Sequence, residues 1–340
     1  MRTIATPALL VVLCLAAACA RAAEVERIRL QSAEMVVEVT PALGGRVLHA
    51  GRIGFPNLIK TGEPVASQPA PAVSAEADDI GYLGHDVWLG PQSGWWSDQH
   101  ANPTRRAAKA VWPPDPYLAF AETRVVARAP DRLVLEGIDS PVTGVRLLKS
   151  FAFDAADPAT VVVTAVARNI RDRGIARDLW FNTRTSAATR VYVPVADARD
   201  VRVDAERNAA PAWRIEAGVF SFVPASPDTA MRRGKVFLQP SAGWMAGFAQ
   251  RQAFVIRFEH QPRAAIHPEH GQVELYLDHA RDVQAGLLEM EVHAPFRTLA
   301  PGDAMQASER LTVLAYDGPE TQAAHLAFLC ERLDLCAAAD

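Results

Sequence analysis

The stretch LLEMEVHAP, residues 287–295, alternates apolar and polar side chains as far as His293. Successive side chains of a strand point to opposite faces. Leu288, Met290 and Val292 therefore share one side, and Glu289, Glu291 and His293 the other. The same period recurs in MVVEVTP (35–41), RLVLEGID (132–139), LLKSFAFD (147–154), TVVVTAVARNI (160–170), VFSFVP (219–224), KVFLQP (235–240), FVIRFEH (254–260), VELYLD (273–278) and RLTVLAYD (310–317). These stretches are rich in Val, Ile, Phe and Thr and end on Pro, Gly, Asp or Asn, which predicts strands. Strands spread evenly with no helix between them imply an all-β chain, one large antiparallel β-sandwich. Only PETQAAHLAFLCERLDL at the end reads as a helix, with Pro319 in its first turn and Ala324, Leu326, Leu333 and Leu335 on its apolar surface. GEPVASQPAPAVSAEADD (62–79) reads as an exposed loop.

The first residues stand apart from this pattern. A basic Arg2, an apolar run from Ala8 to Ala18 and then small residues have the layout of a secretory signal peptide over 1–22. The run is too short to span a membrane, and no later stretch is long enough. Two exits fit: cleavage after Ala20-Arg21-Ala22, or a lipoprotein signal that ends before Cys19 and leaves a lipid anchor on it. We expect simple export, to the periplasm or envelope of a bacterium. The sandwich domain is then 24–318 and the helix and tail 319–340. The formal net charge of −4 speaks against nucleic acid as a partner, which calls for a basic stripe. Beyond the leader only Cys330 and Cys336 remain. They can pair only if the helix stops near Asp334; two free thiols are the alternative.

Familiar catalytic motifs are missing. The chain has no H-E-x-x-H, no G-x-S-x-G, no phosphate-binding loop and no dinucleotide fingerprint. His260, His267 and His270 read as loop histidines, so no metal is expected. Glu289 and Glu291 are candidate general bases if their face lines a concave surface, and an ordinary polar exterior if it does not. DLWFNTRTS (178–186) sends Trp180, Asn182 and Arg184 to one side, a ligand-like set. FVIRFEHQP pairs Arg257 with Glu259, either as a surface ion pair or as groups that hold a sugar hydroxyl or carboxylate.

The segment from Gly81 to Tyr117 is the densest in binding chemistry. It holds His85, Asp86, Trp88, Gln92, Trp95, Trp96, Trp112 and Asp115, four of the chain's seven tryptophans among them. Its GP, SG, NP and PPDP turns predict loops rather than a buried strand. One or two of these indoles would serve the core. Indoles interleaved with Asp, His and Gln also suit a pyranose, whose apolar face stacks on an indole while its hydroxyls need donors and acceptors.

VTPALGGRVLHAGRIGFPNLIK (39–60) resembles the opening of galactose-mutarotase-like proteins, with its P-x-x-GGR turn between strands and its later Asn-Leu pair. GHDVWLGPQ, WPPDPY and LLEMEVHAPFRTLAPGDAMQASERLTV are similar to an uncharacterised, often exported branch of that superfamily. The resemblance runs from about Glu34 to Tyr316. It implies a curved β-supersandwich with a mono- or oligosaccharide site on its concave face and cofactor-free acid–base chemistry at the anomeric centre. It further implies Glu289 or Glu291 as the base, His85 as the acid and Arg46 as a pocket or structural arginine. The family's central pair of histidines is absent at the expected spacing. Three functions follow: a mutarotase-like isomerase, a non-catalytic carbohydrate-binding protein of the envelope, or a glycan lyase or hydrolase on a similar sandwich.

Overall fold

The computed structural model of the chain describes residues 25–67, 71–205, 210–223, 232–279 and 285–336, and each of the ten alternating stretches contains a strand. The leader and Cys19 lie outside the described residues. Two ten-stranded antiparallel sheets make up the body. Nine strands of the first run in the order Ile28–Gln31, Met35–Thr40, Arg46–Arg52, His85–Gly90, Ile175–Ser186, Leu287–His293, Val273–Asp278, Arg233–Leu238 and Val201–Ala205, and short Arg297–Leu299 pairs with Ile175–Ser186. The second runs from Trp213–Glu216 through Val219–Phe222, Arg190–Pro194, Trp244–Ala249, Gln252–Phe258, Ala304–Ala315, Thr160–Asn169, Val145–Phe153 and Arg132–Asp139 to Arg124–Ala129.

Alternation decides what lies between the sheets. Val87, Leu89, Leu179, Phe181, Met290 and Val292 of the first sheet belong to one buried cluster with Val161, Val163, Phe254, Ile256 and Val313 of the second. Each such side chain contributes about 1.5–3 kcal/mol when fully buried.

The outer face of each sheet is covered differently. On the second, Tyr192, Trp244, Phe248 and Val255 pack with Leu329 of the C-terminal helix, Gln322–Leu333. The buried stripe of this helix is His325 and Leu329, supported by Leu326, Phe328 and Leu333. Asp334 ends it in the left-handed region, at φ 56°, and the turn brings Cys336 back to Cys330 in a disulfide. The helix thus stops where the pairing of these cysteines requires. No helix among the described residues is long and apolar enough to cross a membrane.

On the first sheet the outer cover is the segment that follows Gly90. Trp95 and Trp96 are buried there with Trp88, Trp180, Val142 and Ala75. The 62–79 stretch is more than an exposed loop, because Val65 and Ala75 are buried and Arg105 donates to the carbonyls of Ala75 and Ala77. The GGR turn has a steric cause. Gly44 and Gly45 both have φ +69°, and a Cβ on Gly44 would lie 2.3 Å from the carbonyl oxygen of Leu118.

Candidate functional site

Cross-strand register sets three rows of side chains on the outer face of the first sheet. One row is Trp88, Trp180 and His293; the next is Asp86, Asn182, Glu291 and Glu274. The third is Arg184, Glu289, Tyr276, Lys235 and Asp204. All five residues of this third row line a cavity of about 440 Å³. Trp88, Trp180, Trp112, Gln92, Pro114, Arg46 and the 79–83 segment also line it.

Polar contacts hold the lining in place. Arg184 Nε donates to Glu289 Oε1 at 2.8 Å, and its guanidinium carbon lies 4.6 Å from the Trp88 ring centroid. Arg46 Nη2 donates to the carbonyl of Ala119 and pairs with Asp86, each at 2.8 Å, which ties the cavity wall to the sheet. Gln92 Nε2 donates to the carbonyl of Val111 at 3.0 Å, beside half-exposed Trp112.

A charged network lies beneath the cavity. Lys235 Nζ is 2.6 Å from Glu274 Oε2 and 2.9 Å from Glu291 Oε2, and sits 4.5 Å above the Trp180 ring. Trp180 Nε1 donates to the same Glu291 oxygen at 2.9 Å. His293 bridges Asp178, at 3.3 Å, and Glu274, at 3.4 Å. His270 stacks on His293 at 4.1 Å between centroids, and its Nδ1 lies 2.8 Å from Glu274.

The two glutamates divide the charge unequally. Burial raises the Glu291 carboxyl, with help from Glu289 and Glu274 and against Lys235, to about 8. Burial also acts on Glu274, but Lys235, His293 and hydrogen bonds from both histidines hold it well below the usual range. Burial alone would lower His293; Glu274 and Asp178 outweigh it and raise the imidazole to about 9. The network therefore sets the Lys235 ammonium and the His293 imidazolium among the carboxyl groups of Glu274, Glu291 and Asp178, and Glu291 gives up its proton less readily than Glu274.

A family model described as a domain of unknown function, DUF4380, matches residues 25–314. The chain belongs to the DUF4380 family. No curated protein matches its sequence. Among solved structures it is similar to the Slr1438 protein of Synechocystis sp. PCC 6803, at 12% identity over 86% of this chain and 96% of that one, with a TM-score of 0.57. It is also similar to a galactose mutarotase-like protein of Clostridium acetobutylicum, at 10% identity over 85% and 95% with a TM-score of 0.53. A third, from Lactobacillus casei, has 9% identity over 85% and 100% and a TM-score of 0.51. At such identities the likeness is one of fold: this DUF4380 chain is a galactose-mutarotase-like β-sandwich.

The DUF4380 structure separates several residues that the sequence suggested together. GHDVWLG is no loop: His85–Gly90 is a buried central strand. Its alternation sends Asp86 and Trp88 outward and His85 inward. His85 Nδ1 lies 2.9 Å from Thr183 Oγ1 and 4.0 Å from Glu309, between the sheets. Burial and nearby Lys149 lower its pKa to about 3, so it is a neutral core residue on the opposite face from Glu289. The role of acid expected of His85 is thereby corrected.

Trp95 and Trp96 donate their indole N–H groups to the carbonyls of Leu89 and Pro113 and are core residues. Asp115 caps the short Pro116–Ala119 helix and accepts from Ser140 and Thr143, so its role is local structure. Asp86 pairs with Arg46 and, at 2.9 Å, with Lys149; it is an internal counter-ion. Arg257 belongs to the other sheet, where it reaches Thr312 and the carbonyl of Leu333, and Glu259, just beyond the same strand, is exposed. Asn182 is fully buried beneath the cavity, and neither amide atom has a hydrogen-bond partner among the described residues.

Glu289, Arg184, Arg46, Trp88, Gln92 and Trp112 do line the cavity, and Glu291 lies under it. Lys235, Glu274, Tyr276 and Asp178 were not singled out from the sequence. For Lys235, Glu274 and Tyr276 the signal was available in KVFLQP and VELYLD, whose alternate positions face the same way as Glu289 and Glu291, and for Asp178 in DLWFNTRTS, where it shares the face of Trp180 and Asn182.

Asp178, His270 and His293 offer ligand atoms within 4.8 Å of one another, as do Glu274, Glu291 and His293. His270 lies in a loop, as expected, but is buried against this group. Lys235 and the His293 imidazolium already neutralise these carboxylates, so the set fits an internal ion network better than a cation centre.

Proposed function

We propose that the cavity binds a sugar and that the chain performs cofactor-free acid–base chemistry at its anomeric centre, with Glu289 as the base. One observation carries the reading: the Glu289 carboxylate lines the cavity and is oriented by Arg184 beside the indoles of Trp88 and Trp180. A carboxylate held this way can take the anomeric hydroxyl proton as the ring opens. The ring oxygen then needs an acid. Tyr276 and Lys235 are the candidates in the lining, and the Glu274 and Glu291 carboxylates, outweighing burial, make Lys235 hold its proton more tightly than usual. The acid is therefore assigned to Tyr276, and Lys235 keeps the underlying carboxylates compensated. The galactose mutarotase-like names of the structural neighbours support the same substrate class.

The test is anomer equilibration followed by NMR from freshly dissolved α-hexoses. Acceleration that disappears in Glu289→Gln is the expected result; equal acceleration by both proteins would sink the assignment. A second reading, a carbohydrate-binding protein without catalysis, is favoured by the absence of any of the nine histidines from the lining. Under it, sugars raise the melting temperature without changing anomer exchange.

Export is part of the proposal. The signal-like pattern of residues 1–22 supports it, and a disulfide suits an oxidising compartment. Amino-terminal analysis of the mature chain distinguishes cleavage after Ala22 from a lipid-bearing Cys19.

A further inference from the structure

A second cavity, of about 390 Å³, opens where the Arg190–Pro194 strand, the Val219–Phe222 strand and the start of the C-terminal helix meet. It shares no lining residue with the sugar cavity. Its chemistry is cationic: Arg190, Arg214, Arg232 and His279 line it, with Glu320 as the only carboxylate among the described lining residues.

Arg214 is occupied, by Gln322 at 3.0 Å and Glu216 at 3.4 Å. Arg190 and Arg232, by contrast, form no side-chain hydrogen bond or ion pair among the described residues. His279 is only 8% exposed, and its ring also lacks a partner among them. A nine-tenths buried imidazole normally finds a partner within the protein. Here it faces a cavity shared by two guanidinium groups that have no ion partner among the described residues. The amino-terminal end of the twelve-residue helix, at Thr321 and Gln322, adds the positive end of the helix dipole to the same wall.

We infer that this cavity is a binding site for a small molecule bearing an oxyanion, a phosphate or a carboxylate. Guanidinium donors match such groups in geometry and charge. The volume is that of a small-molecule pocket. The site does not depend on the function proposed for the sugar cavity.

Titration calorimetry at low salt on the full chain tests this, with inorganic phosphate, glucuronate and uncharged glucose as probes. Binding of phosphate or glucuronate beyond that of glucose is expected, weakened at least tenfold in Arg190→Gln/Arg232→Gln. Phosphate alone would identify a phosphoryl group as the anion recognised, and glucuronate alone a carboxylate. His279→Gln, which leaves both arginines in place, should weaken binding with the melting temperature retained. No binding of either anion, or equal binding by the double variant, overturns the inference.

Discussion

Arg184 and Glu289 are direct cross-strand partners, and the arginine Nε donates to the carboxylate at 2.8 Å where both line the cavity. Arg184 is almost wholly buried, so its guanidinium is a fixed post against which the carboxylate is aimed.

Glu289→Gln keeps the shape of this pair and removes the base. Anomer exchange should fall by about 10²–10⁴-fold, the usual contribution of a positioned acid or base. Sugar affinity should change little. A loss of affinity with unchanged turnover would instead make Glu289 a binding residue.

His85→Gln tests the separation of the two faces. His85 points between the sheets toward Thr183 and Glu309. The substitution should lower stability in urea melts and leave anomer exchange within twofold of the parent chain. A large kinetic loss without destabilisation would contradict this placement.

The tryptophans should divide by burial. Trp96 is fully buried with a bonded indole N–H, and Trp96→Ala should cost about 3–5 kcal/mol of stability. Trp112 is half exposed, so Trp112→Ala should stay within about 0.5 kcal/mol and weaken sugar binding instead. Chemical denaturation and intrinsic fluorescence titration read the two effects separately.

Lys235→Met removes the cation between Glu274 and Glu291. Breaking a buried pair in this way costs about 3–5 kcal/mol. Adding Glu291→Gln should recover part of that loss by removing one of the stranded carboxyls. A double-mutant cycle in urea checks the coupling; strictly additive effects would show that the three groups do not interact.

Stability should decline on the alkaline side. Glu291, raised from 4.5 to about 8, and His293, raised from 6.5 to about 9, keep protons in the folded state that the unfolded chain has lost. Their contributions are complete below the unfolded values and vanish as pH rises through the folded ones. The His293 share corresponds to on the order of 3 kcal/mol. Glu274 works in the opposite direction, losing its contribution as pH falls below the ordinary carboxyl value of 4.5. Urea unfolding across this range should show the alkaline decline, and His293→Gln should flatten it between about pH 6.5 and 9.

Much of the fold could be read locally. Period-two alternation located ten strands and put Glu289, Glu291 and His293 on one face before any neighbour was known. It failed where local signals competed. The Gly and Pro around HDVWLG suggested loops, yet the stretch itself alternates, and following that period would have parted His85 from Trp88. The helix end at Asp334 was legible as a condition for the Cys330–Cys336 bridge, although the bridge itself was not.

The sequence by itself determined which side chains share a face of a strand, because that depends only on backbone geometry over neighbouring residues. It also determined the sandwich class, because ten alternating stretches without intervening helices leave little else. Only the tertiary structure decided which strands adjoin. That choice put Lys235 against Glu274 and Glu291, aimed Glu289 at Arg184, and buried Trp95 and Trp96 while leaving Trp112 at the cavity. Charge, burial and pKa depend on neighbours brought from distant parts of the chain, and no local pattern encodes them.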